Sequence, residues 1–459
     1  MHMIKQKSLI TLMLLAIMFL PFANVNASSF DNGNIISDYD LTNYTSMTQA
    51  SIQTFLTRKS GTLSSLVAPD VNGVSRTASE IIYFSAQEHK INPMFLLVML
   101  QKEMSLVEAP TPRQSQYDWA MGYGVCDSCS VNDPKLLLLK GFGTQVDRGG
   151  GIQRWYLDHI DEGWLKEAGK TYTIDGHEIK MANQATANLY NYTPHIHGNY
   201  NFWKIWNNWF SQKFPDGTLL QAVGEPGVWL LEDGLRRPFD SKAALMSRYS
   251  SGGIISVSPG ELDKYEIGKS IRHSNYSLLE TPNGNVYLIV DEKLRKFASS
   301  EVIRTLGFNP EEFEEITMTE FVDYELGEPI GLESSYPAGG LLQDAKTGGV
   351  FYVQDGKKYP ITAKEVMLIN FPHLKITPVS SDVLDKYPRY EAVKLKDGTL
   401  VKSKEKSSVY VISNGKKLPI ISGEVFEAIG YNWENIQEVS EAGLMMIPLG
   451  NYMDLDYKE

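Results

Sequence analysis

Glu103 ends the most apolar helical stretch of the chain, and its type and placement could do chemistry. The segment 91–107 reads INPMFLLVMLQKEMSLV. Asn92 followed by Pro93 predicts a helix start, a side-chain cap and then a proline where a missing N–H costs nothing. Met94 to Leu100 are apolar almost all the way round, so the helix belongs inside a protein rather than on its face. Glu103 falls three and four residues after Leu100 and Met99 and seven after Leu96, which stacks its carboxyl on an apolar row. Apolar surroundings disfavour the charged form of a carboxyl, and that is what a general acid working near neutral pH requires. The plainer alternative is that Glu103 is the wet end of a buried helix, paired with Lys102.

This stretch resembles the catalytic helix of the lysozyme-like superfamily, which includes goose-type lysozymes and soluble lytic transglycosylases. There a pattern of the form V-D-P-x-L-L-x-A-x-x-x-x-E-S ends in the catalytic glutamate. LYNYTP (189–194) resembles the A-Y-N-A-G-P segment of the sugar cleft, with Tyr190 and Asn191 matching, and AMGYG (120–124) stands where that superfamily has a Met-Gly-Leu-Met-Gln loop. The stretch from NIISDYD to NYNFWKIWNNWF is also similar to a domain of secreted proteins from actinobacteria and related bacteria, often found beside repeats. The resemblance covers roughly residues 33–212. It departs from the pattern at Met104, which displaces Ser105, at Val125 in the loop's glutamine position, and at Tyr192-Thr193 in place of A-G.

The resemblance implies that Glu103 protonates the glycosidic oxygen between N-acetylmuramic acid and N-acetylglucosamine and then acts as base, with no cofactor. Ser105, Tyr123, Tyr190, Asn191 and Tyr192 would contact the glycan; the alternative for the aromatic rings is packing in a small helical core. A two-carboxylate glycosidase needs a partner about 5–9 Å away. Asp118, Asp127 and Asp147 are available, but the single-glutamate mechanism common in the superfamily is the expectation.

Two other constellations compete. His195-x-His197 in PHIHGN has the spacing of two zinc ligands on a strand, the mark of a zinc peptidase or amidase acting on peptidoglycan. A third ligand would have to come from His89, His159 or His177, none of which lies in a ligand motif, so no metal is expected. Cys126 and Cys129, in GYGVCDSCSVNDP, could close a local disulfide, remain free thiols, or form a redox pair or half a zinc site; no second pair completes four sulfur ligands.

The elements around these residues divide the chain. Lys5 and Lys7, the apolar run 8–20 and the small residues of Val25-Asn26-Ala27 predict a signal peptide over 1–27. The run is short for a membrane span of roughly 20 residues, so a secreted protein with no stable span after cleavage is expected, associated with the cell surface. Losing Lys5 and Lys7 takes the net charge from −12 to −14, which argues against nucleic acid as a partner. Residues 28–213 read as a mostly α-helical, lysozyme-like domain. Beyond it Val228, Val286, Val350 and Val409 lead four similar segments about 60 residues apart, each with an aromatic, a turn and a basic pair. These predict α+β repeats of β-hairpin, helix and strand over 214–275, 276–338, 339–396 and 397–459. The basic pairs Arg236-Arg237, Arg295-Lys296, Lys357-Lys358 and Lys416-Lys417 could hold wall glycans multivalently.

The expectation is therefore a secreted peptidoglycan glycosidase, a muramidase or lytic transglycosylase, with envelope-binding repeats. A non-catalytic adhesin or glycan binder, and more remotely a zinc peptidase or amidase, are the alternatives. Its partner would be peptidoglycan or another cell-wall glycan.

Overall fold

The computed structural model describes residues 30–125 and 133–454. The expected signal segment, Cys126 and Cys129 with their proposed disulfide, and Asp127 lie outside these residues. Among the described residues no helix is long and apolar enough to cross a membrane.

The N-terminal region is built on two central helices. α1 (Asp38–Thr42) and α2 (Gln49–Lys59) lead to a short hairpin, β1 (Val67–Pro69) and β2 (Ser75–Thr77). α3 (Ala78–His89) follows directly, opened by a reciprocal cap between Thr77 and Glu80. α4 (Pro93–Met104) starts as its sequence dictates: the Asn92 side chain accepts the Met94 N–H at 2.8 Å and Pro93 takes the first position. Phe95 to Leu100 are all buried, each worth about 1.5–3 kcal/mol of transfer free energy. α4 ends at Ser105, which adopts the left-handed conformation.

Two short helices, α5 (Gln114–Asp118) and α6 (Pro134–Leu137), precede α7 (Phe142–Asp158). α7 carries Gly149, Gly150 and Gly151 in its middle because other groups lie where side chains would be. A Cβ on Gly149 would sit 2.6 Å from Met121 Cε, and one on Gly150 would sit 2.8 Å from Ser85 Oγ on α3. A second hairpin, β3 (Thr171–Ile174) and β4 (His177–Lys180), turns at Asp175-Gly176. α8 (Gln184–Tyr192) and α9 (Ile196–Phe210) complete the region, with Phe202 of α9 packed 5.2 Å from Phe95 of α4.

The expectation of a mostly α N-terminal domain is corrected. The chain is mixed, 34% helical and 22% strand with several multi-strand sheets, and this region contributes two hairpins. Their tight turns at Asn72-Gly73 and Asp175-Gly176 reverse chain stretches too polar and too short to form buried helices.

Beyond residue 213 the hairpins do form four sheets, each with a strand ahead of the hairpin that the leading valines did not reveal. In the first, Leu219–Ala222 pairs antiparallel with Val228–Glu232, which turns into Leu235–Pro238, while Ile254–Val257 lies parallel on the outer side. The same order recurs around Leu278–Glu280, Gly340–Asp344 and Leu400–Ser403. The cation of the basic pair packs over the leading aromatic in three sheets: Arg236 on Trp229, Lys358 on Phe351 and Lys417 on Tyr410. In the remaining sheet the equivalent position is Leu294, and Tyr287 is buried.

The four sheets close on themselves. Arg237 pairs with Glu292 of the second unit, and Arg295 Nε lies 2.7 Å from Asp355 of the third. Val366 and Val439 share one cluster between the third and fourth. The fourth returns to the first through a core joining Leu220, Ile255, Val411 and Phe426, and through direct backbone contact of Gly217 with Gly398. Arg237 and Arg295, one residue from each of the first two basic pairs, thus join neighbouring units, while Arg236, Lys358 and Lys417 are held within their own units by Asp263, Asp385 and the Leu444 carbonyl. The first unit also touches the N-terminal region, where Gly260 packs against Ser37 and Asp40 and Glu261 accepts the Gln212 N–H at 3.0 Å.

Candidate active site

Glu103 reaches the surface of the N-terminal region at the end of α4. Its side chain is 23% exposed, and its partner is the adjacent Lys102, whose Nζ lies 2.6 Å from Glu103 Oε1 and is 5% exposed. The row of apolar residues below the carboxyl is present, but the carboxyl itself faces a cation rather than an apolar wall. Lys102 Nζ also donates to Thr193 Oγ1 at 2.6 Å and stands 5.9 Å from the Tyr192 ring centroid. The end of α4 and the end of α8 therefore meet at one ammonium group.

A loop lies against this pair because two side chains, those of Gln145 and Tyr192, hold it. Gln145, fully buried on α7, accepts the N–H groups of Met121 at 3.3 Å and Tyr123 at 3.0 Å, and donates to the Tyr123 and Leu139 carbonyls. Tyr192 donates its hydroxyl to the Met121 carbonyl at 2.6 Å. Gly122, between them, has φ +70°, and a Cβ there would lie 3.2 Å from Glu103 Oε2. The position thus needs glycine both for its backbone and for the room Glu103 occupies.

Aromatic residues lie around this pair. Burial, with Glu103, Tyr156 and Tyr123 close by, pushes the Tyr192 hydroxyl well above its ordinary range. Burial likewise pushes Tyr156 up to about 12; both are neutral hydrogen-bonding groups at physiological pH. Tyr156 meets Trp164 edge-on at 6.4 Å, and Trp164, 64% exposed, stacks on Trp155 at 6.0 Å.

The structure distributes the expected contacts unevenly. Tyr192 stands beside Lys102, and Tyr123 lies on the loop that Gln145 holds against Glu103. Ser105 caps α4 and is exposed. Tyr190 is 0% exposed within the core and its hydroxyl has no partner, so it offers no ring face; it belongs to the packing of α8. The Asn191 amide is engaged by the Lys166 backbone, accepting its N–H at 2.8 Å. Asp118 lies against Gln114 and Lys140, and Asp147 is paired with His89 at 2.9 Å. The groups the sequence reading passed over are Gln145, Thr193 and Tyr156. Only Thr193 carried a signal, as the residue next to Tyr192 where the resemblance breaks.

The histidines do not assemble a metal centre. His195 precedes α9 rather than lying on a strand, and its Nδ1 is 2.9 Å from Asp175 Oδ1. That bond, with the Ile196 N–H, holds the Asp175 carboxyl below its usual range. His197 contacts Asn201 on the same helix, while His159 stacks on Trp155. Among the described residues no group of three or more His, Cys, Asp or Glu could hold a metal ion.

One family matches: the LasA N-terminal domain, over residues 34–127, well under half of the chain. LasA is a secreted staphylolytic peptidase family. The matched segment runs from α1 through α4 and the Met121–Tyr123 loop, and so contains Glu103 and Lys102. No curated protein matches the chain. Solved structures with partial likeness include the periplasmic assembly of the ESX-5 inner membrane complex, with 9% identity over 54% of this chain and 96% of that one, at a TM-score of 0.13. The EccB3 dimer of the ESX-3 core complex matches at 12% identity over 39% of this chain and 63% of that one, at a TM-score of 0.12. Superposition that poor carries no argument.

The LasA match overturns the expected glycosidase. It points to a peptidase family and therefore to a different bond of the wall, with no support for a muramidase or a lytic transglycosylase. At Glu103 itself the structure shows the plainer alternative raised from the sequence, a carboxyl at the wet end of the helix paired with Lys102.

Proposed function

We propose that the chain is a secreted cell-wall hydrolase of the peptidase class, acting on the peptide part of peptidoglycan at the Glu103 site. One observation carries this reading: the Lys102–Glu103–Thr193 constellation stands in the region whose first part is similar to the N-terminal domain of a staphylolytic peptidase family. In the proposed step Glu103 accepts a proton from water, and the resulting hydroxide adds to the scissile carbonyl carbon. Lys102 and the Thr193 hydroxyl stand beside it as donors for the oxygen that becomes negative. Glu103 then returns the proton to the leaving amine as the C–N bond breaks. Tyr123 and the exposed Trp164 give the neighbouring polymer a surface to lie on.

Purified mature protein incubated with peptidoglycan tests this through two colour reactions, one for new amino groups and one for new reducing sugars. The expected result is amine release by the wild type, lost in Glu103→Gln, with reducing sugars at background. Protein that sediments with the wall and releases neither would leave only a binder.

A further inference from the structure

The ring of four sheets encloses an open chamber of about 1460 Å³, and its lining is not that of a mere packing gap. Arg248 and Lys396, from the first and third units, both line it, with Tyr276 and Asp291 of the second and Tyr352 of the third. Arg248 spends Nη1 on the Ala244 and His273 carbonyls and the Ser247 hydroxyl, but its Nη2 is buried and has no partner. The Lys396 ammonium makes no hydrogen bond or ion pair among the described residues, and its side chain is exposed to the solvent of the chamber it lines. Burial lowers the pKa of both cations, and the charge of Arg248 lowers Lys396 further. A buried guanidinium N–H without an acceptor is costly, and two cations within reach of each other add repulsion.

The negative group close to both is Asp291. Its carboxylate already accepts the Asn275 amide at 3.2 Å and the Gln354 amide at 3.3 Å. Of the other charges on the lining, Lys394 lies 3.6 Å from Glu391 and Asp397 accepts the Gly415 N–H at 3.4 Å, while Glu434 stands on the stretch contributed by the fourth unit. Glu292 also acts on Arg248 but is committed to Arg237, so in the immediate surroundings of Arg248 and Lys396 two cations face one carboxylate, Asp291. That balance suits a monoanion better than a phosphate dianion, which Asp291 would repel. Beside the charges, the hydrogen-bonded Tyr276 and Tyr352 hydroxyls and the Phe371 ring supply polar and apolar walls.

We propose that the central chamber of the repeat ring is a binding site for a small carboxylate of the amino-acid or peptide kind. The carboxylate lies between Arg248 Nη2 and Lys396 Nζ, and the ligand's ammonium end lies toward Asp291. The site is separate from that of Glu103 and does not depend on the peptidase reading.

Isothermal titration of the full mature protein with L-alanyl-L-alanine, D-alanyl-D-alanine, their C-terminal amides and inorganic phosphate tests it. Binding of at least one dipeptide is expected, with the matching amide about tenfold weaker or worse, as for the loss of one charge-assisted contact. Lys396→Gln is the cleaner variant because that side chain holds nothing else in place. It should weaken dipeptide binding about tenfold with an unchanged unfolding midpoint, and Arg248→Gln should do the same at some cost in stability. No heat with either dipeptide, equal affinity for acid and amide, tighter binding of phosphate, or an unaffected Lys396→Gln would each overturn the proposal. Failure of peptidoglycan cleavage alone would leave these results unchanged, so the two readings fail separately.

Discussion

At the scale of the residue, the proposed reaction rests on the pair Lys102–Glu103. Glu103→Gln keeps the size of the side chain and removes its capacity to take a proton, so amine release from peptidoglycan should fall about 10²–10⁴-fold. A drop of less than twofold would remove Glu103 from the reaction. Lys102→Met keeps the stem but leaves Glu103 and Thr193 without their shared partner; a loss of about 10²–10³-fold is expected in kcat. Gly122→Ala places a methyl 3.2 Å from Glu103 Oε2 on a backbone at φ +70°, and should lower both activity and the unfolding midpoint. Glu103 itself was legible in the sequence, because Asn92-Pro93 and the apolar run fix where the helix starts and how it turns. Its partner Thr193 was not, since 91 residues separate it from Lys102 and no local pattern reports a contact across the fold.

At the scale of the element, α7 and the repeat hairpins show where local rules yield to packing. Alanine is a better helix former than glycine by about 1 kcal/mol, yet Gly149→Ala on α7 would press a Cβ to 2.6 Å from Met121 Cε. We expect a net destabilisation of about 1–3 kcal/mol, read by chemical denaturation, and some displacement of the Met121–Tyr123 loop. A gain in stability would mean that Met121 moves freely. In the hairpin turns three units place glycine second, at Gly234, Gly356 and Gly415, whereas the second unit has Glu292 at φ +64°. That carboxylate reaches Arg237 of the first unit. Glu292→Gly should relax the turn but loosen the joint between the two units, increasing hydrogen exchange around Arg237 without unfolding the second sheet. The hairpins were readable from their alternation and turns. The strand that precedes each of them was not, because Leu219–Ala222 and its counterparts are short and mostly buried, with too little alternation to mark a period.

At the scale of the whole molecule, the ring closes where Gly217 meets Gly398 and where Asp397 lies near Asp216. Burial and the neighbouring Asp216 raise the Asp397 carboxyl above its ordinary value. A raised carboxyl contributes stability that is fully present below the unfolded-state value near 4 and is lost as pH rises through the folded value. Asp397→Asn should therefore match the wild type near pH 4 and become the more stable protein toward pH 7. Because Asp397 is only part-buried, the difference should stay below about 1 kcal/mol. Thermal unfolding across that range checks it, and a difference that does not grow with pH would contradict the assignment. Closure itself left no trace in the sequence: four similar units are equally compatible with an open array and with a ring. The contacts that choose between them, such as Gly217 with Gly398, join residues far apart in the chain.

The most direct measurement is mass spectrometry of the soluble products after mature protein digests purified peptidoglycan. The account predicts shortened peptides with new amino termini on unbroken glycan strands, absent with Glu103→Gln. Muropeptides released with new reducing or anhydro sugar ends, from uncut peptides, would contradict it.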